Sequence, residues 1–445
     1  MELSNKNVMV VGLGVSGVAA ARFLASRGAK LVMTDRRVDV DRGQLPAGAV
    51  KLGAGAASWV DGIDLVVTSP GVPRDSLLLH AATERRIPVI GEIELASRFL
   101  DVPIAAVTGT NGKSTVVVLL GEILKASGRR TFVGGNLGTP LIDAVDGQWD
   151  VAVAEVSSFQ LEWIEKFQPR AGVHLNLTDD HFDRYKDLED YGRAKARLFE
   201  NQQASDYAIL NREDPSVWKL AKRVRARVIG FGRTRGESGA SIWFDDQSNA
   251  IVYDFDFDHT PGGQISLEKF RLHGRHNISN AMAASAAALA LGVNAEEIER
   301  ALASFRGLPH RIEVVHERGG VTYIDDSKGT NVGAVVEAID ALAAPIILIA
   351  GGLDKGGDYA PLRRPLKEKV KLAIFNGSAR DKMAAALDGA TKIETVATLK
   401  DAIEHAARAA RPGDTVLLSP ACSSFDQFKD YAERGNVYKE LVRAL

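Results

Sequence analysis

A single cysteine, Cys422, excludes an intrachain disulfide and a thiolate zinc cluster. Neither charge sign prevails: 55 Lys and Arg face 57 Asp and Glu, a formal net charge of -2. No broad basic field exists to hold nucleic acid, which leaves only local patches suited to phosphates. No apolar run approaches the ~18 uninterrupted residues of a membrane span, and there is no repeat or low-complexity tract. The opening MELSNKNVMVVGLG is a short strand broken at glycines rather than a secretory leader. A cytoplasmic protein without nucleic-acid or membrane partners is expected, acting as a monomer. What the chain does have is 45% hydrophobic and 25% charged residues, the balance of a soluble globular protein. Its 445 residues exceed one ordinary core, so two or three domains are expected.

Short β-branched runs alternate with Ala/Leu-rich amphipathic stretches, the rhythm of parallel α/β sheets. Val8–Val11, Leu31–Thr34 and Leu65–Thr68 read as one series of strands. Ile104–Val107, Val151–Glu155 and Gly172–Leu177 form a second, and Val321–Ile324, Ile346–Ala350, Leu372–Phe375 and Thr415–Leu418 a third. The least regular stretch is 233–263, where Gly, Ser and Asp punctuate short strands such as Ile251–Phe255. Three α/β domains in a row follow, with borders near Gly91 and Gly307.

Two glycine loops carry the first chemical signals. Gly12, Gly14 and Gly17 follow a strand and open a helix, and Asp35 ends the next strand. That is the dinucleotide fingerprint, in which a diphosphate reaches a helix N-terminus and the acid binds a ribose. An NAD(P)-dependent oxidoreductase is therefore a competitor. The second loop, TGTNGKS at 108–114, lies between the strand Ile104–Val107 and a helix expected over Thr115–Ser127. Its amides can wrap a triphosphate, Lys113 can neutralise the terminal phosphates, and Ser114 can hold Mg²⁺. Val107 stands where the usual pattern has glycine, so the loop is a shortened variant. Two phosphate loops suggest two phosphorylated ligands, whereas a dehydrogenase needs one.

Further blocks follow in order: EVSSFQ at 155–160, NLTDDH at 176–181, GRAK at 192–195 and HGRHNISN at 273–280. LPHR at 308–311, DSKGTN at 326–331 and SPACSSFDQF at 419–428 complete the series. Together with GTNGKS they resemble the Mur ligase family across nearly the whole chain. The EVSSFQLE, NLTDDHFDRY and SPACSSFDQF wording is most similar to the D-glutamate-adding branch. The Asp-Asn-Pro-Arg motif of the diamino-acid-adding branch is not found. The resemblance implies an α/β chain with a Rossmann-like UDP-binding domain at 1–91 and a central P-loop ATPase with a mostly parallel sheet at 92–307. A Rossmann-like amino-acid-binding domain would occupy 308–445. It implies ATP and Mg²⁺ as cofactors, UDP-N-acetylmuramoyl-L-alanine and D-glutamate as partners, and amide formation through an acyl phosphate in peptidoglycan synthesis. A folylpolyglutamate synthase-like ligase would leave the N-terminal glycine loop unexplained. A non-enzymatic nucleotide-binding module would leave the acid, histidine and lysine sites unexplained.

The resemblance also assigns residues. The first loop, with Gly14, Val15, Ser16, Asp35, Arg37 and Gly71, would hold uridine diphosphate; the same diphosphate–helix physics serves NAD. Gly109, Thr110, Asn111, Gly112, Lys113 and Ser114 would hold ATP. Glu155 ends a strand; read alone it is a solvated or capping acid, and the resemblance makes it a Mg²⁺ ligand, with Ser157 beside it placed at the substrate. His181 follows a buried strand in an Asp/His-rich loop and would serve the second metal. Asn136 reads equally as a turn residue and as part of the nucleotide site. Asn280 reads as a helix cap, and the resemblance places it at the nucleotide. Arg311 and Asp326 would meet ATP, the alternative being a surface salt bridge. Lys328, Thr330, Lys355, Ser424 and Phe425 follow three strands of the last domain and offer the cations and hydroxyls that a dicarboxylic amino acid wants. Cys422 is a packed residue rather than a nucleophile. Lys195 falls between Tyr191 and Phe199 on one stripe of a helix expected over Asp187–Asn201. Partial burial there would favour the free amine, which captures CO₂; the alternative is a lysine that snorkels to solvent. The GRAK match implies a carbamate that ligates Mg²⁺, making Lys113, His181 and Lys195 the expected catalytic set.

Overall fold

The computed structural model describes residues 1–182, 184–236, 239–255, 262–272 and 274–445. His273, the first residue of one motif, lies outside them.

The first sheet is wholly parallel, with β1 (Asn7–Val11), β2 (Lys30–Asp35), β3 (Ala49–Leu52), β4 (Leu65–Thr68) and β5 (Val89–Gly91) in the order 3-2-1-4-5. β4 is buried on both faces, which is why it reads as a continuous apolar run. The order reverses beside β1, so the glycine loop after β1 opens at a topological switch point.

Nine strands build the second sheet: β6 (Ile104–Thr108), β7 (Thr131–Gly135), β8 (Val151–Glu155), β9 (Ala171–His174), β10 (Tyr207–Asn211), β11 (Arg227–Gly232), β12 (Ser241–Asp245), β13 (Ala250–Asp254) and β14 (Gly263–Ser266). Their order is 14-13-12-11-10-9-6-8-7, parallel except for the β12–β13–β14 meander at one edge. β9 stops at His174, three residues before the end read from the apolar pattern. The reason is local: Leu175 N–H makes the last ladder bond, to Thr108 O at the end of β6, whereas Leu177 N–H turns to the Asp214 carboxylate, so the chain leaves the ladder beside the phosphate loop. The expected helix over 187–201 is likewise shorter: an α-helix covers Leu188–Ala196 and a 3₁₀ turn covers Arg197–Phe199.

The third sheet holds β15 (Glu313–Arg318), β16 (Val321–Asp325), β17 (Ile346–Gly351), β18 (Val370–Asn376), β19 (Ile393–Thr395) and β20 (Thr415–Leu418) in the order 15-16-20-17-18-19. Only β15 is antiparallel. Helices cover both faces, giving one core around Val335, Leu348 and Phe375 and another around Ile349, Ile403 and Tyr438. The chain divides into two compact units. Residues 1–177, 189–270 and 280–304 carry the first two sheets; 178–188, 271–279 and 305–445 carry the third.

Candidate active site

The phosphate loop leaves β6 and enters the helix Lys113–Ala126 through Gly112, whose φ of 83° is left-handed and which caps the helix. A Cβ on Gly112 would come within 2.4 Å of Asn280 Oδ1, so the loop is closed down to the limit that glycine permits. Asn280 is no cap: it lies inside the helix Arg275–Ala290, buried against this loop. Lys113 Nζ donates to the carbonyls of Gly109 (3.0 Å) and Thr110 (2.8 Å). Lys195 Nζ donates to the same Gly109 oxygen at 2.8 Å and stands 4.5 Å from the centre of the Tyr191 ring. Two lysine side chains therefore converge on one carbonyl at a helix N-terminus, whose dipole and open amides suit a polyphosphate. Lys195 is only 1% exposed, and Tyr191 and Phe199 are buried with it, as the stripe predicts.

At the head of the helix, Ser114 Oγ donates to Glu155 Oε2 at 2.6 Å, and Asn136 Nδ2 donates to Glu155 Oε1 at 2.8 Å. Parallel pairing of β6 with β8 brings the acid there. A buried hydroxyl beside a buried carboxylate forms the oxygen donor set that fits a hard divalent cation. Asn176, whose motif was recognised but whose role was not, holds the loop itself. Its Oδ1 accepts Thr110 N–H (3.0 Å) and Asn111 N–H (2.8 Å), and its Nδ2 donates to Asn111 O (3.2 Å). Nearby, burial and then the Lys195 charge push the His174 imidazole down to about 3, so it adds no further cation.

The first sheet carries a cavity of about 890 Å³ at the β1 switch point, lined by Gly14, Val15, Ser16, Asp35, Arg37 and Gly71 among others. All six residues expected at the uridine diphosphate are thus brought together. An added Cβ would meet nothing within 4 Å at Gly14 or Gly71, whereas at Gly17 it would lie 1.8 Å from Gly12 O. Gly17 is needed for packing of helix on loop, and Gly14 leaves the backbone open to a ligand. Both Asp35 oxygens are engaged: Oδ2 accepts Leu13 N–H at 2.7 Å, and Arg37 bonds both oxygens. Burial alone would raise this carboxyl, but the bonds from Arg37 and Leu13 outweigh it and hold it below its ordinary value. Ser157 lines neither this cavity nor the next; its hydroxyl belongs to a capping box with Gln160.

In the second unit, a cavity of about 460 Å³ is lined by Asp180, His181, Asn331, Glu337, Lys355 and Tyr359, among others. Asp180 accepts from Lys355 Nζ (3.2 Å) and Asn331 Nδ2 (3.4 Å), tying the histidine loop to the turns that follow β16 and β17. The β16, β20 and β17 loops are stitched together by Ala421 N–H to Gly329 O (2.9 Å) and by paired Leu353–Ser423 bonds. Arg434 completes the seam, donating to Ser327 and to the carbonyls of Cys422 and Ser423. Lys328, Thr330, Lys355, Ser424 and Phe425 all fall on these loops; Ser424 is buried and Phe425 is 70% exposed. Asp326 is buried, which pushes its carboxyl up to about 7 against the opposing Arg311 charge and the 2.6 Å bond from Ser419. Arg311 also faces the half-buried Glu337, so it is no isolated surface salt bridge. His181, His310, Ile312 and Ala421 all adopt left-handed backbone conformations in these loops. For β-branched Ile312 this is a strained state, held by its surroundings.

One further cluster, His310, Glu313 and Asp325, has ligand atoms close enough for a metal. Lys439 Nζ sits 2.7 Å from Glu313 and 3.8 Å from Asp325, so the cluster is an ion-pair network already supplied with its cation. Asn176 and Asp180 could have been found within the quoted motifs. Tyr431 and Arg434 stand beyond the last of them, where helix spacing gave no chemical signal.

Three family descriptions match the chain in succession: Mur ligase MurD-like N-terminal domain over residues 6–91, Mur ligase middle domain over 107–288, and Mur ligase glutamate ligase domain over 310–422. Proteins named UDP-N-acetylmuramoylalanine–D-glutamate ligase from Geotalea daltonii and Geobacter metallireducens are 48% and 46% identical, over 100% of this chain and 99% of each of theirs. Among solved structures, the chain is similar in fold to a pseudomurein peptide ligase type C from Methanothermus fervidus, with a TM-score of 0.63 at 20% identity over 99% of this chain and 100% of that one. It is similar also to MurF from Acinetobacter baumannii, with a TM-score of 0.63 at 18% identity over 99% and 91% of the two chains. With relatives at such identity aligned from end to end, the chain belongs to the Mur ligase family.

Proposed function

We propose that the chain joins D-glutamate to UDP-N-acetylmuramoyl-L-alanine at the expense of ATP, in the cytoplasm and as a monomer. The observation that carries this reading is full-length identity of 48% to a protein named for that reaction, on a chain whose phosphate loop gathers Lys113, Lys195, Ser114 and Glu155. A carboxylate is a poor electrophile, so the γ-phosphoryl of ATP is first transferred to it. The acyl phosphate is then attacked by the amine of D-glutamate, and phosphate leaves from the tetrahedral intermediate. Transfer between two anions demands cations and positioning. Lys113, released from the loop carbonyls, follows the terminal phosphates, while the loop amides and the helix N-terminus bind them. Mg²⁺, held by Ser114 and Glu155 with His181 and a carbamylated Lys195 at a second position, would neutralise phosphate charge.

The other roles follow the family's pattern. Asn136, Asn280, Arg311 and Asp326 serve the nucleotide; Gly14, Val15, Ser16, Asp35, Arg37, Gly71 and Ser157 serve the UDP substrate. Lys328, Thr330, Lys355, Ser424 and Phe425 receive D-glutamate, with domain borders near Gly91 and Gly307. The nicotinamide alternative is not supported: the family matches span the glycine loop itself, and the Asp35 oxygens that would take a ribose hydroxyl are engaged by Leu13 and Arg37. No described helix is long and apolar enough to cross a membrane. Phosphate release should require Mg²⁺, UDP-N-acetylmuramoyl-L-alanine and D-glutamate together. Equal turnover with L-lysine or meso-diaminopimelate in an amino-acid panel would overturn the assignment.

A further inference from the structure

Lys328 lies in the turn after β16, and its ammonium does not hang free. Its Nζ donates to the Tyr431 hydroxyl at 3.0 Å and stands 4.5 Å from the centre of the same ring. Tyr431 is in turn held from three sides. It opens the helix Tyr431–Arg443, capped by Asp430, whose carboxylate accepts Glu433 N–H at 2.8 Å. Its carbonyl accepts from Ser327 Oγ at 2.8 Å, and Arg434 from the same turn grips Ser327 Oγ (3.0 Å) and O (2.9 Å). Its ring meets the His310 ring edge-on at 6.3 Å. The phenol is therefore a fixed point, and the lysine is the flexible partner.

A lysine on a four-carbon stem loses rotamer freedom when it binds an anion, and holding it beforehand removes that cost. A neutral phenol suits this task better than a carboxylate. It accepts one of three N–H groups and lends its ring face to the cation, yet leaves the positive charge unneutralised. We propose that Tyr431 is a positioning residue that presents Lys328 to a carboxylate of the incoming amino acid. The inference rests on the reading of Lys328 as an amino-acid-binding residue.

The test is a double-mutant cycle on the full-length enzyme with Tyr431→Phe, Lys328→Met and the pair. Phe keeps the ring and its contact with His310, so the melting temperature should stay near that of the wild type. Tyr431→Phe should raise KM for D-glutamate about tenfold, the worth of one charge-assisted hydrogen bond at the low end of its range. The values of kcat and of KM for ATP should stay within about twofold. Lys328→Met should raise KM for D-glutamate at least as much, and adding Tyr431→Phe to it should change nothing further, because the tyrosine acts through the lysine. An unchanged KM in Tyr431→Phe, beside a raised one in Lys328→Met, overturns the positioning role alone. An unchanged KM in Lys328→Met overturns the reading of Lys328 and the inference with it. Additive effects, or a loss confined to kcat or melting temperature, would make Tyr431 merely structural and also overturn the proposal.

Discussion

Replacing Asn176 by alanine should loosen the phosphate loop while leaving the sheet beneath it intact. The side chain makes three hydrogen bonds to the loop, two into Oδ1 from Thr110 and Asn111 and one from Nδ2 to Asn111 O. At a net ~0.5–1.5 kcal/mol each, their loss costs about 1.5–4.5 kcal/mol. Alanine keeps the main-chain Asn176 oxygen, which also accepts Thr110 N–H at 3.0 Å, so the lower part of that range applies. The cost should fall on ATP, because the amides that Asn176 orders belong to the nucleotide loop. KM for ATP should rise by at least about tenfold, equivalent to 1.4 kcal/mol, with KM for D-glutamate changed by less than about twofold. Asn176→Asp separates shape from charge. Its carboxylate can still accept both N–H groups, so its melting temperature should lie closer to wild type than alanine's. It also places a negative charge where phosphates arrive, so its KM for ATP should be the worst of the three. Steady-state kinetics beside thermal unfolding reads both quantities. A folded Asn176→Ala enzyme with unaltered KM for ATP would refute the argument, and so would an Asp variant that binds ATP like the wild type.

Lys195→Ala should be nearly inactive, and acetate or another small carboxylate should restore part of the activity by filling the oxygen-ligand position of a carbamate; failure of rescue, with an unmodified lysine mass under native conditions in bicarbonate, would refute the carbamate. Glu94→Ala should cost about 3 kcal/mol of stability at neutral pH, since one buried oxygen accepts the N–H groups of Glu165, Lys166 and Phe167 and the other binds Arg98. Burial would raise the Glu94 carboxyl, but the Glu165 amide, Arg98 and the other two amides hold it below its ordinary value. Its contribution is therefore present above the usual carboxylate range and lost as pH falls through it. The difference in urea-unfolding stability between wild type and Glu94→Ala should shrink from pH 7 toward pH 4, and a constant difference would refute the linkage.

Regular elements were legible where one physical signal dominated. β4 and β8 are buried throughout, so an apolar run marked them without ambiguity. β9 ends earlier than its apolar pattern because Leu175 and Leu177 continue the apolar run, while Leu177 N–H turns to the Asp214 carboxylate instead of the ladder. Periodicity records which side chains are buried and is silent about where the backbone bonds. The same limit explains the asparagines. Asn280 could be read as a cap until the helix was seen to begin at Arg275. Asn176 bonds a loop 65 positions away in sequence, and no local pattern reports such a partner.

The N-terminal glycine loop shows how far a motif carries chemistry. Gly12, Gly14 and Gly17 suit any diphosphate that lies against a helix N-terminus, and the acid at the end of β2 suggests a ribose hydroxyl as its partner. In the folded chain, that acid accepts Leu13 N–H from the glycine loop itself, and the Arg37 guanidinium lies across both its oxygens. Asp35 thus shapes the loop and turns an arginine toward the cavity, so the site gains a cation where a nicotinamide enzyme would present a bare acceptor. A site of this polarity favours a ligand with anionic or acceptor groups beyond its diphosphate. The residue types alone could not distinguish the cases, because the deciding fact is which hydrogen bonds the carboxylate has already made. For glycine loops of this kind, the bonding of the strand-end acid is the more discriminating observation than the spacing of the glycines.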